Sequence, residues 1–248
     1  MHRFFVVGDL TGKVNIAKED VHHITKVLRM QKGDELIVVN EQGQVAVAVI
    51  EVIAKQEVVV LVKDFLLEYV RPKRRVILAQ GISKGEKMDW IVQKAVELGV
   101  TDIVPLALER SVVQYDEKKA LARQERWQKI ALEAAKQCQS TFITKVHSVS
   151  TLSKALEKFT VEAGFVAYEE EKEQSLRSYL RKIDKEIKSI LLIIGPEGGF
   201  TLSEVGKIKA KGLESVSLGN RILRTETAAI ATVSLVMYEL SDLGGSDA

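Results

Sequence analysis

Two glycine-rich loops near the C-terminal end of the chain carry the residues best suited to chemistry. The first, Gly195-Pro196-Glu197-Gly198-Gly199-Phe200, follows an apolar run over 189–194 that ends on Ile194. The second, Leu218-Gly219-Asn220-Arg221-Ile222-Leu223-Arg224-Thr225-Glu226-Thr227-Ala228, follows Ser215-Val216-Ser217. Gly198 and Gly199 remove two side chains and permit positive φ, so peptide N–H groups can face a ligand. Thr225 opens a helix, where its hydroxyl suits a cap and free amides can meet a polar group. Open α/β sheets bind ligands at the carboxyl ends of their strands. Two such loops this close in sequence suggest one pocket, although read alone they are equally compatible with two tight turns.

Other chemistries are excluded by spacing. The proline at position 196 and the glycine intervals break the dinucleotide fingerprint, and no G-x-x-x-x-G-K-[ST] phosphate loop occurs. One cysteine, Cys138, and four histidines make a zinc site a poor fit, and adjacent His22 and His23 point to different faces of a helix. No metal is expected. No serine or cysteine nucleophile constellation is visible.

The elements that must position these loops fall into two regimes. Residues 1–70 read as short strands over 3–8, 35–40, 44–53 and 57–66 with one helix over 19–30, which together predict a small β-barrel. After a change of pattern at 69–75, strands alternate with helices. Strands are expected over 76–79, 102–106, 164–168, 189–194 and 215–218. Helices are expected over 88–98, 116–139, 152–159, 174–181, 203–211 and 225–240. Such alternation predicts an α/β domain with a mainly parallel sheet and helices on both faces. The last helix is apolar almost all round over 228–236, the pattern of a buried core helix. The tail 244–248 reads as frayed.

Charge adds little. Lys and Arg total 36 against 34 Asp and Glu, and residues 1–70 hold eight basic and ten acidic side chains. A nucleic-acid surface would be a local patch, with candidates at Arg71-Pro72-Lys73-Arg74-Arg75 and at Lys118, Lys119, Arg123, Arg126 and Lys129. Solvated helix faces explain both runs as well. No run approaches the length of a membrane span, and the N-terminal residues lack the pattern of a signal peptide, so a soluble cytoplasmic protein is expected.

Taken together, GPEGGF and LGNRILRTETA strongly resemble the RsmE family of ribosomal-RNA methyltransferases, of the SPOUT class. The likeness extends to His22-His23-Ile24, Val27-Leu28-Arg29-Met30 and Gly33-Asp34. It includes Lys84-Gly85-Glu86-Lys87 with Gln93-Lys94-Ala95-Val96-Glu97-Leu98-Gly99-Val100, then Glu109-Arg110-Ser111 and Glu133-Ala134-Ala135-Lys136-Gln137. Ser140 and Thr144 depart from it, standing where the family usually carries Arg and Pro.

The resemblance implies a PUA-like RNA-binding β-barrel over 1–70 and a SPOUT methyltransferase domain over 74–243, its C-terminal segment threaded as a trefoil knot. It implies a homodimer that binds S-adenosylmethionine and methylates N3 of a uridine in 16S ribosomal RNA within the small ribosomal subunit, uridine-1498 in conventional rRNA numbering. The cofactor positions implied are Ile194, Gly195, Pro196, Glu197, Gly198, Gly199, Leu218, Gly219, Ile222, Leu223, Arg224, Thr225 and Thr227. Arg224, Arg221 and Glu197 are the catalytic candidates. Either arginine could instead be structural, paired with Glu197 or Glu226. Arg3, His22, Arg29, Lys84, Lys87 and Arg110 are the expected RNA contacts. Two further readings stay open: another RNA target, such as a transfer-RNA base or a ribose, and a non-catalytic ribosome-assembly factor.

Overall fold

The computed structural model describes residues 1–66, 72–113, 115–240 and 243. Arg71 of the basic run, the start of the pattern change at 69–71 and the tail 244–248 lie outside the described residues. The chain divides into two compact units, Met1–Arg71 with Ala135–Ile143, and Pro72–Ala134 with Thr144–Ala248.

The first unit is a five-stranded sheet in the order β1-β3-β4-β5-β2, built from β1 (Arg3–Phe5), β2 (Lys13–Asn15), β3 (Glu35–Val39), β4 (Val45–Ala54) and β5 (Glu57–Leu66). Alternating apolar residues, among them Leu36, Val38, Ala46, Ala48, Ile50, Val58 and Val60, build its core with Phe4, Leu10 and Ile24. Strand β2, three residues long, is too short to show a period in the sequence. The expected helix over 19–30 is α1 (Lys18–His22) followed by a π-helical turn, His23–Val27. The Thr25 hydroxyl donates to the Val21 carbonyl, 2.8 Å, competing with the helical ladder there. Arg29 then takes a left-handed φ of 53° and ends the segment.

Residues 135–143 belong to this unit although the sequence reading placed the whole 116–139 helix in the second domain. Two buried polar links explain it. Lys136 Nζ lies 2.6 Å from Asp20 Oδ1, both side chains largely buried. The Arg3 guanidinium donates to the carbonyls of Gln139 and Ser140.

In the second unit seven parallel strands form one sheet in the order β12-β10-β11-β6-β7-β8, with β9 also paired to β7. These are β6 (Arg75–Gly81), β7 (Asp102–Ala107), β8 (Lys145–Val146), β9 (Ser150–Thr151), β10 (Ala163–Ala167), β11 (Ser189–Ile194) and β12 (Glu214–Val216). Strands of a parallel sheet are covered on both faces, which accounts for the unbroken apolar run of β11. Ile77, Val166, Leu191 and Ile193 face a core completed by α4 (Leu152–Lys158) and α6 (Leu202–Ala210). Phe165, one residue along, faces the other side and meets the Tyr179 ring of α5 (Leu176–Lys182) at 5.0 Å. Helix α7 (Thr225–Leu240) packs on β11 and on α2 (Lys87–Glu97). Contrary to the buried reading of 228–236, Leu235 is exposed, as is Tyr238 beyond that stretch.

At the amino ends of the strands, Asp102 of β7 accepts from Arg75 of β6 at 2.8 and 2.9 Å and pairs with the buried His147 at 2.7 Å. Burial opposes the Asp102 charge, but Arg75, His147 and Thr101 outweigh it and hold the carboxyl well below the usual carboxylate range.

Candidate functional site

Because β6, β10, β11 and β12 run parallel, their carboxyl ends share one edge of the sheet. The loops there converge on a cavity of about 750 Å³, a size suited to a nucleoside-like ligand. Its lining includes the Ile194, Gly195, Pro196, Glu197 and Gly199 backbone run, then Leu218, Gly219, Arg221, Ile222, Leu223, Arg224 and Thr225. Both glycine loops therefore border a single space.

Two positions from the sequence reading stand elsewhere. Gly198 is absent from that lining, and the carbonyl oxygen of Arg110 would lie 2.8 Å from a Cβ at 198, so the bare Cα there makes room for Arg110. Thr227 is exposed on the first turn of α7 and does not line the cavity. Gly199 keeps the expected conformation, with φ at 66° and its amide donating to the Pro196 carbonyl at 3.0 Å.

The loops are fastened from beneath by residues without a sequence signal of their own. Thr225 does not cap α7. Its hydroxyl donates to the Gly195 carbonyl at 2.6 Å and accepts from the Gln80 side-chain amide at 2.9 Å. Gln80 is fully buried at the end of β6. Beside it, a Cβ on Gly81 would lie 2.5 Å from the Pro196 nitrogen, so only glycine lets the first loop sit this close. The sequence reading also missed a third wall. Strand β10 lies between β11 and β12, and Tyr168, Glu169, Glu171 and Lys172 of its following loop line the cavity. The only available signal was the position of this loop after a predicted strand.

Charges at the site are distributed unevenly. Lys87 Nζ stands 3.1 Å from Glu197 Oε1 and 3.2 Å from Glu226 Oε2, an ion pair with each. Glu197, then Glu226, raise the Lys87 pKa. Partial burial pushes Glu197 up, but its own amide, Lys87 and the Lys84 amide prevail and leave it below the ordinary value. Lys87 thus takes the partner role considered for the arginines. Among the described residues, the guanidinium groups of Arg221 and Arg224 form no ion pair or hydrogen bond, and both residues are exposed. No cluster of metal-ligating residues occurs among the described residues.

The family "RNA methyltransferase domain" matches residues 71–237, and "RNA methyltransferase PUA domain" matches 16–63. Ribosomal RNA small subunit methyltransferase E of Bacillus subtilis is 37% identical over 256 aligned residues, covering 99% of each chain. The chain belongs to the ribosomal RNA small subunit methyltransferase E family. The Aquifex aeolicus member is 33% identical, over 96% of this chain and 99% of its own. A crystal structure of the Neisseria gonorrhoeae member, bound to S-adenosyl methionine, superposes with a TM-score of 0.84 at 29% identity, covering 96% of this chain and 97% of that one. The fold is accordingly the SPOUT-type α/β methyltransferase fold preceded by a PUA-like β domain.

Against the family pattern, Ser140 and Thr144 have local work. Ser140 Oγ donates to the Phe142 carbonyl at 2.7 Å, and the buried Thr144 hydroxyl donates to Val100 at 2.6 Å. Of the expected RNA contacts, His22 and Arg29 are exposed on the first unit, whereas Arg3 is buried and bonded within it. Lys84 and Arg110 are exposed on the second unit, and Arg110 also reaches the Gly198 carbonyl at 3.3 Å. Part of each basic run is committed. Arg74 donates to Ile187 and Lys185 carbonyls, Arg75 to Asp102, and Arg126 to Asp89.

Proposed function

We propose that this chain transfers a methyl group from S-adenosylmethionine to N3 of a uridine in 16S ribosomal RNA, uridine-1498 in conventional numbering, within the small ribosomal subunit. One observation carries the reading: in a member of this family, two glycine loops border a single cavity that also presents two arginines without protein partners. The cavity fits the cofactor's chemistry. Ile194, Leu218, Ile222 and Leu223 offer apolar walls, and Gly195, Gly199 and Gly219 carry no side chains that would narrow the space for a nucleoside. When bound, S-adenosylmethionine supplies an electrophilic methyl carried on a sulfonium.

The chain's own task is the nucleophile. Uracil N3–H is a very weak acid, and charge spreads onto the two carbonyl oxygens as it ionises. Arg221 and Arg224 are placed to neutralise that charge, a contribution that strengthens as the charge develops. Glu197, kept ionised beside Lys87, is a weak proton acceptor, and its part in this reading is to hold Lys87. The N3 edge is normally paired, so the nucleotide must be splayed out to reach the cavity. Arg29, His22, Lys84 and Arg110 are the exposed groups we assign to RNA.

We also read the segment from β11 to α7 as the trefoil knot of this class, and the working enzyme as a cytoplasmic homodimer. The exposed Leu235 and Tyr238 on the otherwise apolar α7 support a face covered by a second copy. The test is incubation with labelled S-adenosylmethionine and small-subunit particles, followed by mapping of the modified nucleoside. Label at N3 of a uridine is expected. Label on a ribose or on transfer RNA overturns the target, and cofactor binding without transfer overturns the activity.

A further inference from the structure

The loop after β10 carries three consecutive carboxylates, and two of them are already engaged. Glu170 Oε2 accepts from the Tyr168 hydroxyl at 2.7 Å. Glu171 accepts from the Ser215 hydroxyl and from the backbone amides of Glu173 at 2.9 Å and Gln174 at 3.3 Å, which hold its pKa down. Glu169 has no hydrogen bond or ion pair among the described residues, yet it lines the cavity. Its carboxylate stands over the first glycine loop, for a Cβ on Gly199 would lie 3.0 Å from Glu169 Oε1. The absence of a side chain at 199 therefore leaves this anion open to the space above the loop.

Resting on the methyl-donor reading above, we infer that Glu169 is the residue by which the site distinguishes S-adenosylmethionine from its spent product. The two molecules share the adenosine, the α-ammonium and the α-carboxylate. They differ in one charge: the donor carries a permanent sulfonium cation, and S-adenosylhomocysteine has a neutral thioether in its place. A carboxylate held at the cavity wall attracts the donor's extra charge, an attraction that the product lacks. It thereby favours loading of the donor and release of the product. Glu169 is a specificity residue in this account and takes no part in moving the methyl group or the proton.

Calorimetric titration of wild-type protein, Glu169→Gln and Glu169→Asp with each ligand tests the inference. Glu169→Gln removes the charge with little change of shape, and the residue is exposed, so the fold is expected to be retained. Donor affinity should fall about three- to fivefold while product affinity changes by less than roughly twofold, the scale of a solvated charge contact. Glu169→Asp should keep the preference for the donor. Equal losses for both ligands would show a hydrogen bond to a shared group and overturn the inference, as would unchanged donor affinity. A wild-type protein that binds neither ligand would instead overturn the methyl-donor reading itself.

Discussion

The Thr225 hydroxyl donates to the carbonyl of Gly195 at 2.6 Å, joining the start of α7 to the loop after β11 across 30 residues of chain. The Gln80 amide, donating to the same hydroxyl, adds the end of β6 to that junction. Three strand and helix ends thus meet at one buried oxygen, and the cavity lies against it.

Thr225→Val keeps the shape and deletes this oxygen. It leaves the Gly195 carbonyl with only the long 3.4 Å contact from the Gln80 amide and should cost about 1–2 kcal/mol of stability, the usual toll of a buried polar group losing its partner. Cofactor affinity should fall about tenfold as the two loops separate, a loss of 1.4 kcal/mol. Denaturant melts and calorimetry check the two numbers. A variant that binds normally would show that the loops hold their positions without the tie.

Gly81→Ala places a methyl group 2.5 Å from the Pro196 nitrogen, a backbone atom that cannot rotate away. The loop must move, at a cost of about 1–3 kcal/mol. Cofactor binding should suffer more than thermal stability does, because the displaced segment forms the cavity wall. Gly206→Ala, on α6 with nothing near its Cβ, is the matched control and should bind normally.

Arg224→Ala separates binding from chemistry. The guanidinium has no protein partner among the described residues, so its loss leaves the fold intact. Methyl transfer should drop about a hundredfold, as when one donor to a developing oxyanion is removed, with cofactor affinity within about threefold of wild type. Equal losses in single-turnover rate and in affinity would reassign Arg224 to the cofactor.

Acid sensitivity should trace to Asp102, far along the strands from the cavity. Its folded pKa is depressed, so its contribution to stability is complete above about pH 4, the unfolded value, and is lost as pH falls toward the folded one. Asp102→Asn should cost about 3 kcal/mol at neutral pH. The gap from wild type should narrow in urea melts below pH 4. A gap that stays constant with pH would mean that packing, not charge, is what the aspartate provides.

The residues that lend backbone to the site were legible in the sequence because their signal is local. Gly195, Gly199, Leu218 and Gly219 follow apolar β-type runs, and that arrangement alone marks loops at strand ends. The longer strands and the helices from β6 onward, though not the two-residue β8 and β9, and the strands of the first unit other than β2, were legible for the same reason. Periods of 2 and 3.6 are properties of neighbours in sequence.

Tertiary structure decided what depends on strand order and on contacts between distant residues. Placing β10 between β11 and β12 brought Glu169 to the cavity, and no residue near position 169 announces that neighbour. Gln80, just past the strand expected over 76–79, carries no signal of its own until Thr225 is set beside it. The close approach of Arg110 to Gly198 likewise joins residues far apart in sequence. Lys87, and not an arginine, stands between Glu197 and Glu226 because α2 packs on α7. A linear pattern records which faces are apolar, whereas a pairing between residues 80 and 225 exists only once the sheet has been assembled.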